Sequence, residues 1–416
     1  MPDLLSVDDA LARILKDFAR LPAESIPLLE AHQRVLADDL LAEHDLPSFA
    51  NSSMDGYAVR ADDLIHATQE APTHLRVTMD IPAGVAPPGA LQPGEAARIM
   101  TGAALPEGAD TVVPVEDTDA VWQAGEAITL PGDVGIRTAT TQGTNVRVPG
   151  ENIRKGATVL SAGTRIRAAG LGVLAGLGQA QVSVVRRPRV AIVSTGDELL
   201  AVDQPLEPGK IRDTNSYALA ALVTEIGAEP VRIPAARDDL DDIRRRFREA
   251  LDAKPDVILS SAGVSVGAVD LVRKVMDEMG HVDLWRINIR PGKPLAYGKL
   301  GDVPFFGLPG NPVSAMVTFD VFVRPALLKL LDIPDAIPTI QAVAGEDIAS
   351  DGRQSYIRVT LRRVNGRPTA YVTGTQSSGA LLSMVLADGL LIIPEGVMVA
   401  RQGESFAVRV LRVLMV

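Results

Sequence analysis

The 416-residue chain contains no cysteine. Thiolate metal ligands, disulfides and cysteine nucleophiles are therefore excluded, and the composition fits a reducing, cytoplasmic setting. Histidine is scarce. His32, His44, His66, His74 and His281 stand without the spacing of a metal centre, so no imidazole-based transition-metal site is expected. Aromatic residues make up only 4 % of the chain against 46 % hydrophobic residues, so the cores must be built mainly from Val, Leu, Ile and Ala. Excess positive charge is missing as well. The formal net charge of −11 argues against binding to nucleic acid or to an acidic membrane, and any anionic ligand must meet a local positive site. The opening stretch MPDLLSVDDALARIL carries acids and no cationic n-region, so it does not read as a signal peptide. No apolar run reaches the about 18 residues of a membrane span, and no membrane association is expected.

At roughly 150 residues per domain, the length suggests about three domains. Ser6 can cap a helix over residues 6–19 with Val7, Leu11, Ile14, Leu15 and Phe18 on one face. Residues 46–146 are rich in Gly, Pro, Thr and Val, with short runs such as HLRVTMDI and DTVVPVED, which predicts a small β-region with many turns. From 189 to about 331 strands and helices alternate: RVAIVS, NSYALAALVTEIG, PVRIPA, DDLDDIRRRFREALD, DVILSS, DLVRKVMDEMG, LWRINI, PFFGL and the long helix NPVSAMVTFDVFVRPALLKLL. Asn215 is placed to cap the first of these helices and Gly227 to end it. The alternation predicts a doubly wound, mainly parallel sheet in an α/β multi-domain protein. After Pro334 the chain turns β-rich again, and Asn365-Gly366 between alternating segments marks a hairpin.

Ligands of open α/β sheets bind beyond the carboxyl ends of the strands. Four loops fall there. RVAIVS is followed by Thr195, Gly196, Asp197 and Glu198; DVILSS ends at Ser261 and leads through Gly263, Ser265 and Gly267 to Asp270. LWRINI, with Arg286, is followed by Arg290 and Lys293; PFFGL is followed by Pro309, Gly310, Asn311 and Pro312 at a helix start. Small residues let backbone N–H groups approach a phosphate, and a helix start offers free donors. The acids would repel that phosphate unless a divalent cation such as Mg2+ joined them. Neither GxxxxGK[ST] nor GxGxxG is present, so neither common nucleotide loop is used. Asp55, in SSMDGYAVR, either forms an Asp-Gly turn or carries chemistry.

In chain order, SSMDGYAVR, MTGAALPEGADTVV, STGDEL, IRDTN, SSAGVSVGAVD, RPGKP and GLPGNPVSA form a set that resembles the molybdopterin molybdenumtransferase family of the MoeA type, related to the E domain of gephyrin. The resemblance covers nearly the whole chain. It implies an elongated domain from 22–45 with 147–171, a small β-domain over 46–146, a MogA-like α/β domain over 172–331 with residues 1–21, and a C-terminal β-barrel over 332–416. It implies a homodimer in which the small β-domain of one subunit covers the α/β crevice of the other, bringing Asp55 and Thr101 to it. Adenylylated molybdopterin and molybdate would be the substrates, molybdenum cofactor and AMP the products, and molybdopterin adenylyltransferase and molybdoenzymes the proteins met before and after. By the same resemblance Glu198 and Asp270 hold the metal, the pair Asp238 and Asp239 matches a further acidic position, and Arg286 and Arg290 stand where relatives carry lysine. Lys293, Pro309 and Pro312 match as they are.

Two departures stand out. Relatives read NIRxxGED where NIRKGATVL begins at Asn152, so Ala157 or Thr158 stands in place of acids, and Ala262 replaces the first glycine of SGGVS. The first leaves open a non-catalytic scaffold that binds molybdopterin. A molybdopterin adenylyltransferase is the enzymatic rival; the added β-domains and Asp55 argue against it.

Overall fold

The computed structural model describes residues 4–122, 129–261, 269–334 and 338–411. Two compact units divide the chain. One comprises Met1–Ala37, Gly163–Arg167 and Val182–Val416, the other Asp38–Ala162 and Ala168–Gln181. Among the described residues no helix is long and apolar enough to cross a membrane.

The chain opens with helix α1, Val7–Leu15, capped by Ser6, whose Oγ accepts from the Asp9 backbone N–H at 3.0 Å. Asp8 and Asp9 occupy the positive end of its dipole. The apolar spacing predicted a longer helix. The helix stops at Leu15, yet Phe18 stays buried, so the apolar face continues on non-helical chain.

The smaller unit is organised by a five-stranded sheet: β1 (Gly56–Val59), β2 (Thr73–Ile81), β3 (Glu95–Ile99), β4 (Thr111–Pro114) and β5 (Gly132–Ile136), ordered β4-β1-β3-β2-β5. Only β2 and β3 run parallel. Every second residue of β2 from Leu75 to Ile81 is buried, the period-2 pattern of a strand with one buried face.

The larger unit holds the doubly wound sheet. Its strands are β6 (Arg189–Thr195), β7 (Glu229–Ala236), β8 (Val257–Ser261), β9 (Gly280–Arg286), β10 (Pro294–Leu300) and β11 (Val303–Leu308), ordered β7-β6-β8-β11-β10-β9. The first four run parallel, β10 runs antiparallel to them, and β9, paired antiparallel with β10, runs in the direction of the first four. Both faces are covered. Val190 and Ile192 of β6 pack with residues of α1, of α2 (Asn215–Ile226) and of the helix after β11; Ala191 and Val193 pack with residues of α3 (Leu240–Asp252) and α4 (Val269–Met279). Gly227 ends α2 at φ +97°, where glycine is favoured.

Strand β10 differs from the sequence expectation, which ran from RPGKP straight to PFFGL. Gly298 in β10 and Gly280 in β9 allow a backbone approach that a Cβ would block by striking the carbonyls of His281 and Lys299. Strands with such glycines read poorly from propensity. The predicted strand 284–289 is also divided: β9 ends at Arg286, and Ile289–Arg290 pairs instead with Gln354–Ser355. The long helix after β11 consists of α5 (Pro312–Thr318), a π-helical turn over Phe319–Val323, and α6 (Arg324–Leu330). Pro325 has no N–H to continue the α-helical ladder.

Strands β12 (Thr339–Ala344), β13 (Gln354–Val364), β14 (Arg367–Val372), β15 (Gly389–Ile393) and β16 (Ser405–Val410) close into a five-stranded barrel in the circular order β13-β14-β12-β16-β15. The hairpin between β13 and β14 turns at Asn365 (φ +49°) and Gly366 (φ +78°), the paired positive φ of a two-residue turn.

Candidate functional site

The carboxyl ends of β6, β7, β8 and β11 open on a crevice of about 1180 Å³. Thr195, Gly196 and Glu198 line it after β6, Asp238 after β7, Ser261 at the end of β8, and Pro309, Gly310, Asn311 and Pro312 after β11. Gly196 sits at φ +144°, and a Cβ there would strike the Glu198 carboxylate, which folds back over the turn. Asp197 joins two loops: the Asp238 N–H donates to its Oδ1 at 3.1 Å and Lys210 Nζ to its carbonyl at 2.6 Å. Several groups are held ready. Asp238 Oδ1 and Thr195 Oγ1 are buried without a hydrogen-bond partner, while the Ser194 and Ser261 hydroxyls pair at 3.0 Å.

The helix starts are not capped as expected. Thr214 takes the N-cap position of α2, and Asn215, its first residue, donates from Nδ2 to the Gly310 carbonyl at 2.8 Å. Asn311 stands at the N-cap of α5 but donates to Ser378 Oγ at 3.0 Å. In both cases a tertiary partner has won over the local one.

A second cavity of about 280 Å³ is lined by Arg290, Gly292, Lys293 and Ser314 and, from the barrel and its following loop, Arg353, Tyr356, Arg358, Gln376 and Ser378. Gly292 and Ser314 line both cavities. Gly292 is at φ +108° and lies against Thr318 Oγ1, leaving no room for a Cβ. Arg353 is paired with Asp351. Arg358, 1 % exposed, donates to Ser383 Oγ at 3.0 Å and to the Ser377 carbonyl at 3.0 Å, all neutral acceptors. Burial lowers its pKa. The cavity thus carries buried positive charge that these acceptors do not neutralise, the condition under which an anion is attracted. The barrel residues carried no sequence signal of a site, because nothing local to β13 says which domain its inward cations face.

In the smaller unit, Asp55 Oδ1 accepts from the Thr101 N–H at 2.7 Å and from Thr101 Oγ1 at 2.8 Å. Those bonds, the backbone one first, hold the Asp55 carboxyl below its usual range. Both residues are exposed. The glycine of Asp55-Gly56 has its own cause: a Cβ at Gly56 would strike the Val113 carbonyl across the β1–β4 ladder. Gly56→Ala is expected to destabilise the protein by about 2–3 kcal/mol, the cost of overpacking a closed site, read as a lower urea midpoint.

The same unit has a cleft of about 440 Å³ lined by Pro47, Asn51, Arg147, Glu151 and Asn152. This corrects the first departure. NVRVPGEN, Asn145–Asn152, fits NIRxxGED with Val146 for isoleucine, Glu151 retained and only the last acid changed, to Asn152. Thr158 instead pairs with Leu41 in a short antiparallel ladder.

Two sequence candidates stand apart. Asp239 Oδ1 accepts from the Asp241 and Asp242 N–H groups at 3.0 Å as the N-cap of α3, and Arg286 lines neither cavity. Gly263, Ser265, Gly267 and the side chain of Asp270 lie outside the described residues.

A doubly wound sheet with acids and hydroxyls at its strand ends, beside a basic cavity lined in part by a β-barrel, defines a multi-domain α/β protein with a candidate ligand site. Residues 5–178 match the MoeA N-terminal region (domain I and II), 191–329 a probable molybdopterin binding domain, and 341–411 the MoeA C-terminal region (domain IV). The chain belongs to the MoeA-type molybdopterin molybdenumtransferase family. It is 39 % identical over 393 residues to a molybdopterin molybdenumtransferase of Nostoc sp., covering 92 % of this chain and 88 % of the relative. Identity to that of Bacillus subtilis is 34 % over 412 residues, 98 % of this chain and 94 % of the other. A molybdopterin biosynthesis MoeA crystal structure from Pyrococcus horikoshii superimposes with a TM-score of 0.80 at 30 % identity, covering 98 % of this chain and all of the other.

Proposed function

We propose that this chain is a molybdenumtransferase of molybdenum cofactor biosynthesis, which inserts molybdenum from molybdate into adenylylated molybdopterin and releases AMP. The observation that carries this is the pair of cavities that have Gly292 and Ser314 in both linings. One offers carboxylates and hydroxyls over about 1180 Å³, room for a nucleotide-sized ligand. The other offers Arg290, Lys293, Arg353 and Arg358 to a small oxyanion, with Gly292 and Ser314 shared between them.

The chain's own groups divide the work. Arg290 and Lys293 draw molybdate in, and Arg358 holds a positive charge at the back of its cavity. Thr195 Oγ1, unpartnered, can donate to a phosphate oxygen and orient the phosphoanhydride. A molybdate oxygen attacks the phosphorus on the molybdopterin side of the anhydride and the P–O bond to AMP breaks, so AMP leaves. The two dithiolene sulfurs then displace two oxygens from molybdenum, one staying on the molybdopterin phosphate and the other leaving as water with the two thiol protons. The site suits Mg2+. Among the described residues no cluster of three or more acids and histidines is preformed for a metal. Mg2+ asks for little more than one or two carboxylates beside substrate phosphates and water. Glu198, with Asp270, would hold it, and it would offset charge between acids and phosphates. A second copy of the chain would bring Asp55 and Thr101 to the dithiolene end, making the working form a cytoplasmic homodimer.

The test is incubation of the chain with adenylylated molybdopterin and Mg2+, with and without molybdate. AMP release that depends on molybdate is the expected result. Binding with no AMP release would instead identify a scaffold, and adenylylation of molybdopterin from ATP an adenylyltransferase.

A further inference from the structure

The motif IRDTN, residues 211–215, opens α2 and has no part in the steps above. Asp213 and Asn215 are each 9 % exposed, and both line the larger crevice. Asn215 Nδ2 is committed to the Gly310 carbonyl at 2.8 Å. That bond fixes the amide's orientation, because the reverse would set two carbonyl oxygens against each other. Asn215 Oδ1 is left buried with no partner. An unpaired buried acceptor costs about 1–3 kcal/mol, a cost that a ligand donor removes. Two residues earlier, the Asp213 carboxylate accepts from the Ser216 N–H at 3.0 Å and carries a second acceptor oxygen. Two residues apart at the start of α2, Asp213 and Asn215 both line the crevice with acceptor oxygens, and a ligand edge that carries two adjacent donors matches such a pair.

We propose that Asp213 and Asn215 recognise the pterin end of the substrate by accepting from the N3–H and 2-amino group of its pyrimidine edge. This rests on the function proposed above and adds which part of the ligand lies against α2. Adenine does not fit the pair, since each of its polar edges sets a donor beside an acceptor. A ribose cis-diol has two donors but little apolar face. Beside the pair, Leu206 and Ile211 are 64 % and 56 % exposed and line the same crevice. Such side chains are covered by a flat ring rather than by a sugar.

The test uses pterin and lumazine, which share a ring system but differ in carrying an amino group or an oxygen at position 2, with AMP as a third probe, titrated by calorimetry into the full chain. The wild type is expected to bind pterin about 3–10-fold tighter than lumazine, the worth of one to two hydrogen bonds. Asn215→Ala and Asp213→Asn should bring that ratio close to one while AMP affinity stays within about twofold. Asp213→Asn keeps an oxygen for the Ser216 N–H, so it guards against a folding defect in the first variant. Variants that keep the wild-type ratio overturn the proposal, and so do variants that lose AMP affinity instead, which would assign the pair to the ribose. A wild type indifferent to the 2-amino group while still releasing AMP with molybdate sinks only this inference; absence of that release sinks the proposed function.

Discussion

Glu198→Gln is expected to cut molybdate-dependent AMP release by about 100-fold or more, the usual cost of removing a group that stabilises charge in a transition state. The substitution is nearly isosteric. The Glu198 side chain folds over Gly196 at the mouth of the crevice, in space a Cβ at Gly196 would take, and an amide can occupy the same place. What changes is charge. Without the carboxylate, Mg2+ loses a protein ligand where phosphate oxygens collect, and only Asp270 remains of the proposed pair. The thermal unfolding profile should match the wild type, since Glu198 makes no core contact and sits on a loop. The measurement is AMP formed per minute at saturating molybdate and graded Mg2+, and a partial recovery at high Mg2+ is expected. Wild-type turnover at every Mg2+ concentration would remove Glu198 from the metal's surroundings.

The crevice was legible in the sequence because buried strands alternating with amphipathic helices leave little choice of topology. Once RVAIVS and DVILSS are strands, Thr195, Glu198 and Ser261 must stand at their carboxyl ends. Other parts were hidden for physical reasons. Asp239 and Asn215 are residue types that suit both a helix cap and a ligand site; one became the cap of α3, while the other gave up capping for the Gly310 carbonyl. Strand β10 was masked by the glycine its close pairing requires. The basic cavity depends on chain closure: Arg290 meets Ser355 only because Ile289–Arg290 leaves one sheet to pair with β13 of the barrel. No local pattern encodes a contact made across more than 60 residues of intervening chain.

Arg358→Met should have the second large effect, on molybdate more than on the pterin substrate. Methionine follows the course of the arginine stem through the barrel wall but leaves Ser383 Oγ without its arginine donor, while the Ser377 carbonyl keeps only the Ala380 N–H. Exposing such buried acceptors costs about 1–3 kcal/mol of stability, read as a lower unfolding midpoint. The functional loss is separate. Arg358 is the cation of the small cavity most completely withdrawn from water, and its bonds go to hydroxyl and carbonyl oxygens, so its charge remains available to an entering oxyanion. Hydrogen bonds to charged groups are worth about 1.5–3 kcal/mol, so the molybdate KM should rise by about 10–100-fold. The KM for adenylylated molybdopterin should move little, because Arg358 lines only the small cavity. Arg358→Lys restores charge without the planar fork. It should recover most of the molybdate KM but less of the stability. A raised unfolding tendency with an unchanged molybdate KM in both variants would make Arg358 a strut of the barrel and place oxyanion binding elsewhere.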